Sequence, residues 1–173
     1  MTKKIKVPFY SQYMHIKDPF WIPRACGMCC LKMVLDYHGV ETEEISEMCI
    51  KGKEAGGYSN SGWIHDYFLS VARGSGIDAH REEGMDIDSG LEKIALSLDK
   101  NEPVIASCVK RFLNENKFHM VVVVGYEKGE NGELKGFYFN EPESLTVEYG
   151  ECRFVDIPTF LSDWRRMAIF IGR

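Results

Sequence analysis

Arg24-Ala-Cys-Gly-Met-Cys-Cys-Leu-Lys-Met-Val-Leu-Asp-Tyr-His-Gly39 decides how this chain is read. Here a turn-rich stretch gives way to an amphipathic helix. The spacing predicts a helix over Cys26 to His38. Cys26, Cys30, Met33, Val34 and Tyr37 share one face, Lys32 and Asp36 another, and Gly39 is the stop. Cys26 is then a cysteine at a helix start. Unpaired backbone N–H groups and the positive end of the helix dipole favour thiolate over thiol there. The thiolate is the nucleophile, and it needs a base, a group that orients the base, and donors for an oxyanion.

Upstream of this helix, Lys6 to Gln12 reads as extended, because Pro8 biases Val7 away from helical backbone. Tyr13 to Ala25 carries two prolines and reads as loop. Downstream, Thr42 to Ile45 resembles a capping box and opens a short helix to about Lys51. Gly52 to Gly62 is a glycine-rich loop. Trp63 to Arg73 reads as a third helix and Ile77 to Arg81 as a strand. Asp88 or Ser89 is placed to cap a fourth helix reaching about Leu98. Strands are then expected at Pro103–Val109, His119–Tyr126, Leu134–Asn140, Ser144–Tyr149 and Met167–Ile171, with a short helix over Pro158–Arg166. Helices followed by mainly antiparallel strands make an α+β arrangement rather than alternating βαβ units.

The 173 residues fit one domain, spanning 1–173. A chain this long buries roughly 70% of its unfolded surface and needs neither metal nor disulfide to fold. The net charge of −5 argues against a nucleic-acid partner. No apolar run approaches the roughly 20 residues of a membrane span, so no membrane association is expected. The basic N-terminus lacks a following apolar stretch, which points to a cytoplasmic location. Cysteines 26, 29, 30, 49, 108 and 152 are then expected to be reduced, and all but Cys26 to serve as small buried hydrophobes.

Phe118-His-Met-Val-Val-Val-Val-Gly125 is the strongest strand, and His119 opens it. The next strand ends in Asn140-Glu141-Pro142, which brings an amide and a carboxylate to the same end of a hairpin. A histidine base needs such a group to fix its tautomer and orientation. Register chooses between them. Pairing that sets His119 opposite Glu141 puts the carboxylate on the histidine's face, and a slip of one residue puts Asn140 there instead. A two-residue Asn131-Gly132 turn favours Asn140. A longer loop within Lys128–Glu133 leaves the choice open. Gln12 carries an amide that can donate to an oxyanion together with the Cys26 N–H.

These pieces, in this order, resemble the C39-like cysteine peptidases, a bacteriocin-processing-related bacterial branch of the papain-like superfamily. The resemblance runs from Val7-Pro-Phe-Tyr-Ser-Gln12 through Cys26-Gly27, Leu31 to Gly39, Glu102-Pro-Val-Ile105, His119 to Tyr126 and Asn140-Glu-Pro142 to Phe160-Leu-Ser-Asp-Trp164. It implies Cys26 as nucleophile, His119 as general base and acid, and Gln12 as oxyanion donor. It also implies a papain-like fold with the cysteine helix packed on a twisted antiparallel sheet. The substrate is expected to be a peptide or another amide, with no cofactor and no metal. Three features depart from the family pattern: Glu141-Pro142 stands where Asp-Pro is usual, Met28-Cys29 follows Cys-Gly, and the gap from Gln12 to Cys26 is wide.

Other readings compete. Cys26-Gly-Met-Cys29 is a Cys-x-x-Cys pair at a helix start, as in thiol–disulfide proteins, but no strand signal precedes it. Cys26, Cys29 and Cys30 lack a second ligand group at zinc-finger spacing. A peptide-binding module with a weakened triad is permitted by Glu141. Trp63, beside the Gly52–Gly62 loop, is a candidate wall of a substrate groove and equally a candidate core residue.

Overall fold

The Cys26 segment folds as helix α2, Cys26–Tyr37, in the computed structural model, which describes residues 1–109, 112–113 and 118–173. Its apolar positions drive the packing. Cys29, Cys30, Leu31, Met33 and Val34 are fully buried. Removing side chains such as Leu31, Met33 and Val34 from water contributes about 1.5–3 kcal/mol each. The polar face carries the Lys32–Asp36 ion pair at 3.2 Å. Ala25 occupies the N-cap with no side-chain hydrogen bond, so the first turn of α2 has no side-chain acceptor of the usual kind.

The helices up to Asp99 precede most of the sheet. Strand β1 is Thr2–Lys4, α1 is Gln12–His15, and a 3-10 turn spans Ile22–Arg24. Gln12 thus begins a helix, and Tyr13 to Ala25 is not simply loop. The Ser11 hydroxyl caps α1 by accepting from the Tyr13 N–H at 3.1 Å. Helix α3 is Ile45–Glu54, and its capping box does not form. Thr42 instead donates to Asp36 and accepts from Lys32 Nζ, which ties it to α2. Within the glycine-rich loop, β2 (Tyr58–Ser59) and β3 (Gly62–Trp63) pair as a small hairpin. Helix α4 is His65–Gly74, β4 is Asp78–Glu82, and α5 is Ile87–Asp99. The α5 cap is Asp86, which accepts from the Ser89 N–H at 3.2 Å, rather than Asp88 or Ser89.

Strands β5 (Val104–Val109), β6 (Phe118–Lys128) and β7 (Leu134–Asn140) form where the apolar runs place them. Ser144–Tyr149 is not a strand. Ser144 donates to the Thr146 carbonyl and Thr146 Oγ1 accepts from the Tyr149 N–H, so local side-chain bonds start helix α6, Val147–Gly150. Strand β8, Arg153–Asp156, was not anticipated. Helix α7 (Ile157–Asp163) and strand β9 (Trp164–Gly172) complete the order.

Among the described residues the strands build a seven-stranded antiparallel sheet in the order β4-β9-β5-β6-β7-β8, with β1 also paired to β6. Helix α2 packs on β6, and the Cys30 thiol meets the Met120 carbonyl at 3.4 Å. This is the α+β arrangement expected, a helix carrying Cys26 laid on an antiparallel sheet.

The β6–β7 register decides what faces His119. The turn runs over Gly129–Glu133, closed by the Gly129 N–H on the Glu133 carbonyl at 2.8 Å, so the two-residue Asn131-Gly132 turn does not form. A first bulge, between Glu127 and Lys128, sets the pairs Glu127↔Gly136 to Gly125↔Tyr138. Continued, that register would bring Asn140 to the histidine's face. A second bulge, between Val123 and Gly125, returns the register to Val123↔Phe139 and Val122↔Asn140. One extra residue thereby turns Asn140 away from His119 and Glu141 towards it. Gly125, beside this bulge, permits the close approach of β1, since a Cβ there would lie 2.3 Å from the Lys3 carbonyl oxygen.

Candidate active site

Helix α2 and strand β6 meet at a cleft of about 370 Å³ whose lining includes Cys26, His119 and Trp63. Helix α2 presents Cys26 at its first position, partly accessible, while Cys29 and Cys30 behind it are sealed from solvent. Strand β6 supplies His119, which pairs directly with Cys108 of β5, while β7 pairs with the same strand from Val122 onward. The chain leaving β7 supplies Glu141. A larger cavity, about 600 Å³, borders Glu141 from the side of Phe139 and Tyr149 and reaches neither Cys26 nor His119.

His119 is buried. Its Nε2 is in direct hydrogen-bond contact with Glu141 Oε1, and the same carboxylate oxygen accepts the Glu143 N–H at 2.8 Å. Cys26 lines the same cleft, and its thiol is among the neighbours that favour the charged ring. With Nε2 committed to Glu141, Nδ1 is the ring nitrogen left for the thiol. Burial alone would lower the histidine pKa. The facing Glu141 carboxylate, the Cys26 thiol and the hydrogen bond with Glu141 outweigh it, raising the pKa from 6.5 to about 10. The site therefore favours imidazolium at neutral pH, the form that pairs with a thiolate.

Asn140 does not meet His119. Its Oδ1 accepts the Cys152 N–H at 2.9 Å and its Nδ2 approaches Met33 Sδ at 3.7 Å, so it ties the end of β7 to α2. Gln12 is buried at the start of α1, and its N–H donates to the Pro142 carbonyl at 2.8 Å. That bond fixes Gln12 against the Glu141-Pro142-Glu143 turn. Its side-chain Oε1 is buried without a hydrogen-bond partner among the described residues.

Trp63 is both a core residue and a neighbour of the cleft. It is almost fully buried, stacks on Trp21 with ring centroids 5.7 Å apart, and still lines the cleft. Trp21 is likewise buried in the core. The Trp63 indole N–H donates to the Arg24 carbonyl at 2.7 Å, bracing the turn that leads into Cys26.

Glu143 is the residue that sequence reasoning missed. It is buried, its Oε2 lies 3.8 Å from His119 Nδ1, and its Oε1 accepts from the Tyr13 hydroxyl at 3.1 Å. Its nearness in sequence to Glu141, across Pro142 just beyond the end of β7, was the available signal. All six cysteines are free thiols. Burial holds the Cys29 thiol well above its ordinary pKa, which makes it a poor partner for thiol–disulfide exchange with Cys26.

Comparison with known proteins follows this geometry. Residues 4–168 match the family described as Peptidase_C39 like. A Bacillus anthracis protein described as a C39-like peptidase has a similar structure, with a TM-score of 0.72 at 16% identity over 100% of this chain and 98% of that one. A double glycine motif protease from an AMS/PCAT transporter, solved with its leader peptide, gives 0.64 at 21% identity over 99% and 95%. The peptidase domain of Streptococcus ComA gives 0.59 at 19% identity over 87% and 92%. No curated protein matches the chain.

Proposed function

Because the chain belongs to the C39-like peptidase family, we propose that it is a cysteine peptidase working by acyl transfer, with Cys26, His119 and Glu141 as its triad. The observation that supports this reading is that Cys26 and His119 line one cleft while His119 Nε2 is hydrogen-bonded to Glu141. A Cys26 thiolate paired with the His119 imidazolium attacks the substrate carbonyl. The Cys26 N–H and the Gln12 amide hold the oxyanion. His119 then protonates the leaving amine, the amide C–N bond breaks, and a thioester remains on Cys26. His119, now neutral, takes a proton from water, and the hydroxide so formed cleaves the thioester. Glu141 keeps the ring aimed at the thiol.

The uncapped first turn of α2 supports the oxyanion assignment, since no side chain competes for its N–H groups. A peptide is the proposed substrate. A leader peptide bound to the double glycine motif protease, which shares the fold, is consistent with that class.

Labelling with an epoxide or iodoacetamide-type probe across pH tests the reading. Fast, saturating modification of Cys26 well below pH 8, lost in His119→Ala, is expected. Reactivity equal to that of an ordinary free thiol, indifferent to His119, would sink it. Hydrolysis of a peptide library that disappears in Cys26→Ala is the second requirement.

A further inference from the structure

We infer that the Cys26 cleft selects peptides with an aspartate or glutamate side chain close to the scissile amide, held by Arg24 and Arg165. The inference rests on the peptidase reading above and names its substrate class.

The two arginines line the cleft from different parts of the fold. Arg24 ends the 3-10 turn immediately before α2. Arg165 lies on β9, whose neighbour Trp164 pairs with Cys108, itself paired with His119. The sheet thus carries Arg165 beside the histidine, while the chain carries Arg24 to within two residues of the nucleophile. Both are exposed.

Neither guanidinium has a carboxylate partner among the described residues. Arg24 donates to the Phe20 carbonyl at 2.7 Å and lies over the Phe20 ring, 4.5 Å from its centroid. Arg165 lies over the Phe118 ring at 3.5 Å. Asp163, the acid nearest Arg165 in the chain, is buried and accepts from Ser162. The chain has 26 acidic and 21 basic residues, yet no acidic residue lines this cleft among those described. An anionic protein has concentrated positive charge where its substrate must enter.

The stacking matters as well as the charge. A guanidinium held flat over an aromatic ring loses less freedom on binding, and its N–H edge remains free to grip a carboxylate with two parallel hydrogen bonds. A hydrogen bond to a charged group is worth enough to give a preference of about tenfold over a neutral isostere.

Two experiments decide it. The first compares alkylation of Cys26 by iodoacetate and by iodoacetamide, with the site of modification mapped by mass to separate it from Cys152. Relative to 2-mercaptoethanol, the iodoacetate/iodoacetamide rate ratio at Cys26 is expected to be raised about tenfold at low ionic strength and to fall with salt. The His119 imidazolium contributes equally in every variant. Arg24→Gln and Arg165→Gln should each lower the ratio about threefold, and Arg24→Glu with Arg165→Glu should lower it further. An unchanged ratio in the Arg24→Gln, Arg165→Gln double variant overturns the inference. The second compares acetylated, amidated hexapeptide libraries with Glu or Gln fixed at each position. At least one position should favour Glu by about tenfold in kcat/KM, and the double variant should lose that preference. Equal cleavage of the Glu and Gln libraries also overturns it. If no library is cleaved in a Cys26-dependent way, the peptidase reading fails, and the alkylation ratio alone decides the role of the arginines.

Discussion

His119 Nε2 and Glu141 Oε1 are hydrogen-bonded to each other with both side chains almost entirely removed from solvent. The longer glutamate, standing where an aspartate is usual, still reaches the ring. Its register is set by the β6 bulge, and its carboxylate is anchored by the Glu143 N–H. Glu141→Gln keeps the shape and removes the charge. It should lower kcat/KM by about 10²–10⁴, the scale seen when the orienting acid of a serine triad is neutralised. Asn140→Ala should leave the pH dependence of that activity unchanged and act on stability instead.

The raised His119 pKa makes stability depend on pH. Below about 6.5 the histidine is protonated folded and unfolded, and its ion-pair contribution is fully present. Between 6.5 and about 10 the folded protein binds more protons than the unfolded chain, so stability falls as pH rises, and the contribution is lost above that range. Urea midpoints should decline across this window, and His119→Asn should flatten the decline.

Glu143 faces the other side of the ring, 3.8 Å from Nδ1. Glu143→Gln tests that contact: where its carboxylate holds the imidazolium, the alkaline limb of Cys26 alkylation by iodoacetate should move to lower pH. The acid-side reactivity should be little affected. A limb that stays in place would limit Glu143 to its contact with Tyr13.

Gly27 has no room for a side chain. A Cβ there would lie 2.8 Å from the Phe68 ring and 3.3 Å from Met120 Sδ, and Phe68 is fully buried. Gly27→Ala should destabilise the fold by about 1–3 kcal/mol through overpacking. It should also slow Cys26 labelling, because the displaced turn carries Cys26.

Trp63→Phe keeps most of the aromatic packing but leaves the Arg24 carbonyl without its indole donor. A loss of about 1–3 kcal/mol is expected from thermal or urea unfolding. KM should rise as well, because the same residue lines the cleft. Lowered stability with unchanged KM would restrict Trp63 to the core.

Periodicity and punctuation made much of the fold legible. The α2 segment carries its apolar face and its Gly39 stop in plain view, and β5, β6 and β7 lie within apolar runs that only burial explains. The misreadings sit where short-range polar bonds compete with pattern. Ser144–Tyr149 looks like a strand, but its Ser and Thr hydroxyls hold it as a turn and helix. Thr42 looks like a cap, but its hydroxyl turns to Asp36.

By itself the sequence determined a helix beginning at Cys26, a strand beginning near His119, and an α+β order, because each follows from local spacing and propensity. Only the tertiary structure decided between Asn140 and Glu141, because one bulged residue in β6 reverses which side chains share a face, and no local pattern announces a bulge. It alone brought Glu143 to the histidine and set Arg24 and Arg165 around one cleft. Those encounters depend on the packing of segments far apart in the chain.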